Sequence, residues 1–516
     1  MADIRKSGLS RKDVRNVALT AGYLEYDRLN KWMRLDAMPD INAIFVPGVP
    51  IGKRDRSVSM ESRVLSMNSK QLFLDFNVKS VRASGNVKII KRPSRNKAKK
   101  DSKFAKALGK KTTLIESDMA MYFWKQGMVT IPSPMTLSNK DFVAKSSYAN
   151  INTASDTADM GGGVFIEQKK GGWLIDGDIV SKNADEDLKK AVTEPAKLSA
   201  MGLSINFASD TIQAAGPVIF EQKDRHLSGG YAFYDGVKDM WEISSGAALR
   251  EKDYGISAGS MIYTVKDGRF NAAGAVFADM VPGKDTRNDI VEYFRDRDGN
   301  ADEKSFEREQ VRVAAESLIY NDKKDVLKAK GDARLTYKDV TVSAENIYVD
   351  YGKKRADGSG DVRFEDSRNE ASAAKFTIDW DERVLHLEKD VKFNDKGRSA
   401  AAGKDEAEPF SLESAELNYS WKKREGSAEG GVKVRASERE ANARKIVFDR
   451  QAKTSELTGG VTLKQESGEW LVKRGSLDDS DEKTKKIAMK PTEIYCESLF
   501  TDDDSGKAVF SGGVII

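Results

Sequence analysis

A short strand-like phrase recurs along this chain at nearly constant spacing, and that repeat limits the possible folds more than any other feature. Ala315-Glu-Ser-Leu318-Ile-Tyr320 leads to Gly331-Asp-Ala333-Arg-Leu335, and Ala344-Glu-Asn-Ile347-Tyr-Val-Asp-Tyr351 leads to Gly360-Asp-Val362-Arg-Phe364. Ala415-Glu-Leu417-Asn-Tyr419 leads in the same way to Gly431-Val432-Lys-Val434. The marker position is occupied by Gly216, Gly246, Gly274, Gly331, Gly360, Asp390, Gly431, Gly460 and Gly513, with Asp390 standing in for glycine once. Short gaps are 28 to 30 residues, and the long ones are 57, 41 and 53. The period is therefore near 29, interrupted by insertions, two of which nearly double it. A unit that short cannot bury an apolar face alone, so the copies must stack on one another.

Each copy reads as strands. Leu203/Ile205/Phe207, Phe376/Ile378/Trp380 and Leu417/Tyr419/Trp421 alternate with Ser, Asn, Thr and Asp, the period of two that sets one apolar face against one wet face. Asn321-Asp322, Asp357-Gly358, Asp381-Glu382 and Glu425-Gly426 read as the intervening turns. The expected fold is all-β: an elongated, repeat-built stack with a period of about 29 residues. Its apolar side is expected to hold Ile205, Phe207, Phe220, Tyr263, Phe277, Tyr320, Phe364, Trp380, Tyr419 and Phe448. Plain core filling is the alternative role for each of them. Inserts are expected near 182–198, with a short helix between Asp185 and Lys197, and near 282–312, with a helical piece around Asp289–Arg297.

Composition removes most chemistry. The 85 Lys+Arg against 81 Asp+Glu leave a net charge of only +4 in 516 residues, which argues against a nucleic-acid binder driven by net charge. One cysteine, Cys496, excludes a disulfide within the chain, and two histidines, His226 and His386, leave little for metal or triad chemistry. We expect no catalytic residue, no metal and no cofactor. Asp296 to Glu303 has the flavour of a calcium loop, but fitting Gly299 to the sixth position puts Phe294 first and Ser305 twelfth, so the essential ligands are missing. Gly161–Gly163 and Gly229-Gly230 sit between strands and read as bulges, not phosphate loops. The basic stretch Lys91–Lys111 lacks aromatic interleaving and reads as a solvated loop or a lipid-headgroup contact. No apolar run approaches the length of a membrane-spanning helix, and Met1 to Arg15 shows no leader pattern.

The repeated phrase "Ala-x-x-Ile-x-Tyr, a short charged turn, then Gly-x-Val-x-Phe" resembles the OstA-like superfamily, which includes the lipopolysaccharide-transport bridge proteins LptA and LptC and the periplasmic domain of LptD. The resemblance extends from about Ala21 to Ile516 and includes Ala21-Gly-Tyr-Leu24-Glu-Tyr26-Asp27 and Met121-Tyr122 with Gly127-Met-Val129-Thr-Ile131. Phe142-Val-Ala144 through Gly163-Val164-Phe165 looks like the end of an LptC-type jelly roll, which divides the chain into segments 14–168 and 169–516. The resemblance implies a β-taco or V-shaped β-jelly roll whose apolar groove holds the acyl chains of lipopolysaccharide or a related lipid. It implies a non-enzymatic periplasmic bridge towards the outer membrane, longer than the family's single-unit members, with its leader not visible here. Other jelly-roll transport proteins would then be partners through edge strands, with end-to-end self-association through Val514, Ile515 and Ile516, and no nucleic acid. The competing expectation is a structural or surface-adhesion repeat protein with a closed core.

Overall fold

The structure is a computed structural model of the full chain, and it describes residues 18–37, 58–61, 65–92, 111–169, 173–176, 180, 186–252, 254–281, 309–396, 409–467, 482–483, 486, 489–502, 504–505 and 507–516. Among the described residues it is all-β and antiparallel, and the helices α1 (Trp173–Asp176) and α2 (Glu186–Thr193) are short. The expected helix between Asp185 and Lys197 is α2. The calcium-like loop, the helical piece near Asp289–Arg297 and nearly all of the basic stretch lie outside the described residues.

Contacts divide the chain into two units, Met1–Lys252 with Ser257–Phe270, and Asp253–Ile256 with Asn271–Ile516. The first begins with β1 (Ala18–Thr20), β2 (Tyr23–Asp27), β3 (Trp32–Asp36), β4 (Val58–Glu61), β5 (Leu65–Ser69) and β6 (Gln71–Asp75). It continues through β7 (Ser80–Lys91), β8 (Thr113–Phe123), β9 (Met128–Ile131), β10 (Met135–Ser138), β11 (Phe142–Ser146) and β12 (Tyr148–Asn152). Long strands follow: β13 (Thr157–Gln168), β14 (Ala196–Asn206), β15 (Thr211–Gln222), β16 (Arg225–Asp235), β17 (Met240–Glu251) and most of β18 (Tyr254–Thr264). Residue 168, expected to end a segment, lies on β13, which pairs directly with β14 inside this unit.

The second unit holds most of β19 (Arg269–Met280), then β20 (Val311–Asn321), β21 (Val326–Tyr337), β22 (Val340–Asp350), β23 (Arg355–Glu365), β24 (Asn369–Asp379) and β25 (Val384–Asp395). It ends with β26 (Phe410–Ser420), β27 (Glu425–Ala436), β28 (Arg439–Asp449), β29 (Thr454–Gln465), β30 (Thr492–Asp502) and β31 (Lys507–Ser511). Its strands pair in chain order, so this ladder spans about 55–60 Å at roughly 4.8 Å per strand. The doubled gaps in the repeat are insertions between neighbours and not hidden rungs: β29 pairs with β30 across the longest gap but one, and β19 with β20 across the longest.

Two edges of the sheet differ. Where even-numbered strands such as β20, β22, β24, β26 and β28 end, exactly four residues follow: 322–325, 351–354, 380–383, 421–424 and 450–453. An Asp or Asn at the strand end, or Ser420 at the end of β26, accepts from the following backbone amides. Asp379 Oδ1 takes the N–H of Asp381 and Glu382, and Asp449 Oδ1 those of Gln451 and Ala452. Each turn closes on a residue with positive φ, for example Lys354 or Arg383. In the second unit the long inserts instead follow β19, β25 and β29, at the opposite rim; in the first unit they follow β3, β7 and β13.

Two expected turns are not turns. Asp357-Gly358 lies inside β23, and Glu425-Gly426 opens β27. The glycines are there because aromatic rings of the adjacent strands lie over them. A Cβ on Gly358 would come within 1.9 Å of Phe376 Cε1, and one on Gly426 within 2.2 Å of Phe448 Cζ. Turn propensity lost to a packing requirement.

Candidate functional site

The site is the inward face, and a column of bulges shapes it. Along β21 the inward positions are Leu327, Ala329, Ala333 and Leu335, the spacing i, i+2, i+6, i+8. Along β22 they are Val342, Ala344, Ile347 and Val349, spaced i, i+2, i+5, i+7. The ladder register confirms the mismatch: Lys330 pairs Asn346 and Ala333 pairs Ala344, so β21 spends three residues where β22 spends two. The extra residues reset the alternation, which keeps one face inward on both halves of a strand that bends at this point. Gly331 (φ 76°) and Asp332 (φ 44°) form the bulge on β21, and Lys389 with Asp390 do so on β25, the copy that lacks the marker glycine. The glycine of the repeat is a left-handed bulge residue, tolerated best where no Cβ meets the following carbonyl.

Burial is graded from that column outward. Val362, Val391, Val432 and Val461, next to the bulge, are 1–2% exposed. Tyr320, Phe364, Trp380, Tyr419 and Phe448, nearer the rims, are half-buried. Ile205 and Phe207 are buried, and Phe220 and Tyr263 half-buried, all on the inward register. Phe277 is not. It is 60% exposed, between buried Val276 and Ala278, at the position filled by Arg334 in β21 and Arg363 in β23. Its expected inward placement is corrected by register: it follows the bulge by one residue too few. Phe376, buried, and Phe393 and Phe410, half-buried, are inward residues outside the ten expected on the apolar side. The i+6 spacing across the marker identifies Phe393, which stacks edge-tilted on Phe410 at 5.8 Å.

Tyr419 and Phe448 stack at 6.3 Å across Gly426, and the Arg450 guanidinium sits 5.9 Å from the Tyr419 ring centroid. Tyr320 donates to Asp325 Oδ1 at 3.1 Å, and burial, then this carboxylate, push its hydroxyl up to about 12. Arg450 Nη2 also lies 3.6 Å from Asp395 Oδ2. Arg450 belongs to the regular turn rim, and Asp395 ends β25 on the insert rim. The second unit is therefore bent far enough for its two rims to meet through a charged pair. Among the described residues its ladders join only strands successive in the chain, so no backbone pairing closes that seam.

In the first unit part of an insert packs on the interior. Leu174 and Ile175 of α1 and Val192 of α2 pack against the core, Val180 is fully buried, and Gln168 Nε2 donates to the Val192 and Glu194 carbonyls at 2.8 and 2.7 Å.

His386 bridges Asn418 and Glu388 on the outer face, and His226 lies near Glu221. Cys496 is buried on the inward register, and burial raises its thiol above the usual range. Among the described residues no three His, Cys, Asp or Glu side chains gather as a metal site. Val514 and Ile516 continue the inward spacing from Ala508 and Phe510, while Ile515 exchanges backbone hydrogen bonds with Tyr495 at 2.8 and 2.9 Å; all three are exposed. No helix among the described residues is long and apolar enough to cross a membrane.

No protein-family model matches the chain, and no curated protein matches it. Among solved structures, the chain is similar to LptH from Pseudomonas aeruginosa, described as the LptA-homologous periplasmic component of the conserved lipopolysaccharide transport device. The match covers 30% of this chain and 86% of that one, at 11% identity and a TM-score of 0.21.

Proposed function

We propose that the chain is a non-enzymatic carrier of an amphipathic lipid, lipopolysaccharide or a relative of it, acting as a periplasmic bridge towards the outer membrane. The supporting observation is the graded inward face: apolar to the rims, half-exposed there, and bounded at the seam by side chains alone. Each buried CH₂ of an acyl chain gains about 0.8 kcal/mol, so a continuous apolar face can carry several chains through water. Sugars stay outside the seam. Edge strands supply the contacts to other jelly-roll proteins or to a second copy, with Val514, Ile515 and Ile516 at one such edge.

The test is a photo-crosslinking residue placed singly at Tyr320, Phe364, Tyr419 and Phe448, with Arg363 and Phe277 as outward controls, in the presence of lipopolysaccharide. Crosslinks are expected at the four inward positions and not at the controls. Their absence at all four inward positions would leave the closed-core structural or adhesion reading instead.

A further inference from the structure

Three adjacent turns on the regular rim of the second unit gather positive charge at the mouth of the apolar face. Trp421 N–H donates to the Arg383 carbonyl at 3.1 Å, and Arg450 N–H donates to the Arg424 carbonyl at 2.9 Å. These bonds lock turns 380–383, 421–424 and 450–453 side by side. They hold six basic residues, Arg383, Lys422, Lys423, Arg424, Arg450 and Lys453, against two acidic ones, Asp381 and Glu382. The neighbouring turn 351–354 adds Lys353 and Lys354, which pair with Asp350 at 3.1 Å and Asp381 at 2.6 Å, whereas 322–325 reads Asp-Lys-Lys-Asp, which is neutral. Nearby acids are partly committed. Asp381 pairs with Lys354 at 2.6 Å, Asp449 caps its own turn, Asp504 takes Lys453, and Asp395 meets Arg450. Glu382, within the first turn, and Glu425, at the start of β27, are further exposed carboxylates beside the cluster.

Chemistry changes sharply over one or two residues here. Lys422, Lys423, Arg424 and Arg450 are exposed, whereas Trp380, Trp421, Tyr419 and Phe448 beside them are half-buried on the apolar side. Indole rings favour such a boundary between an apolar layer and water, and closely spaced Lys and Arg favour phosphoryl oxygens. From this juxtaposition we infer that Lys422, Lys423, Arg424, Arg383 and Arg450 form a binding site for the phosphoryl group of a lipid headgroup, whose acyl chains lie on Tyr419 and Phe448. This rests on the lipid-carrier reading and adds an orientation to it: phosphate at the regular rim, chains inward. Arg450 would exchange Asp395 for the phosphate, so occupancy and opening of the seam are coupled at one side chain.

The experiment uses the full chain, and as probes diphosphorylated lipid A, the same lipid enzymatically dephosphorylated, and inorganic phosphate. The variant Lys422→Gln/Lys423→Gln/Arg424→Gln is compared with Lys323→Gln/Lys324→Gln on the neutral turn. The first should bind diphosphorylated lipid A about tenfold more weakly, equivalent to about 1.4 kcal/mol, and lose salt dependence. It should bind the dephosphorylated lipid as the parent chain does, and the control should match the parent on both. Equal losses on both lipids, or no loss on either, would overturn the site. Competition by inorganic phosphate as strong as by lipid A would assign the site to free phosphate and overturn the lipid source. A crosslinker at Phe448 separates the two levels: capture of both lipids with no phosphate preference ends only this inference, whereas capture of neither ends the carrier reading beneath it.

Discussion

Gly426 and Gly431 lie five residues apart in the same strand and are glycines for different reasons. At Gly426 the backbone is ordinary and the space is taken by the Phe448 ring, while at Gly431 no atom lies within 4 Å of a Cβ but φ is 78°. Gly426→Ala should cost about 1–3 kcal/mol by overpacking, and much of that should return when Phe448→Leu is added. Gly431→Ala should cost roughly 1–2 kcal/mol through the left-handed backbone, with no rescue from Phe448→Leu. Urea unfolding of the four variants checks this, and equal rescue of both glycine variants would contradict it. Phe277→Lys, on the exposed side, should stay within about 0.5 kcal/mol of the parent.

Glu440 illustrates charge at the same scale. It meets Arg435 at 2.9 Å and Lys433 at 3.1 Å, and these hydrogen bonds, the Arg435 one first, hold its carboxyl down to about 2 from 4.5. A depressed carboxylate stabilises the fold above its unfolded value and loses that contribution as pH falls towards its folded value. The stability gap between the parent and Glu440→Gln should therefore close between about pH 4.5 and pH 2. It should be small at neutral pH too, because the pair is solvated. A gap that widens on acidification would refute the assignment.

At the scale of elements, the two rims carry different constraints. On the regular rim each turn is tied to its neighbour: Tyr351 N–H donates to the Asp325 carbonyl at 3.0 Å, and Trp380 N–H to the Lys354 carbonyl at 3.1 Å. On the other rim the two residues 338–339 link β21 to β22, and connections there vary from two residues to the long inserts. Six Gly/Ser residues inserted between Lys338 and Asp339 should lower the thermal midpoint only slightly, since loop closure grows slowly with length. The same insertion between Gly352 and Lys353 should lower it markedly by removing the Trp380 contact and the Asp350 cap on Lys353. Comparable midpoints for both would show that the turn ladder is not structural.

At the scale of the whole molecule, stacked strands leave pairable edges. The stretch after β31 is held by the Glu497 N–H bond to the Gly512 carbonyl and by two backbone bonds between Ile515 and Tyr495, and it exposes Val514, Ile515 and Ile516. Deleting Val514–Ile516 should abolish any end-to-end association seen in light scattering while leaving the β-type circular dichroism unchanged. Association that persists would place the contact at another edge.

Strand identity and the period near 29 were legible in the sequence, because alternation and spacing act over a few residues. The helix within Asp185–Lys197 was legible for the same reason. Phe277 was misread because strict alternation fails at a bulge, and whether a glycine starts a turn, forms a bulge or lies under a ring depends on the neighbouring strand. Gly358 and Gly426 read locally as turns, and only Phe376 and Phe448, on the strands beside them, show otherwise. The Arg450–Asp395 contact joins residues 55 positions apart across opposite rims, and no periodicity predicts it. Local alternation determined which side of each strand is apolar. The tertiary bend alone decided which of those side chains are sealed and which stand at the seam, because burial there depends on how far the far half of the sheet folds back over them.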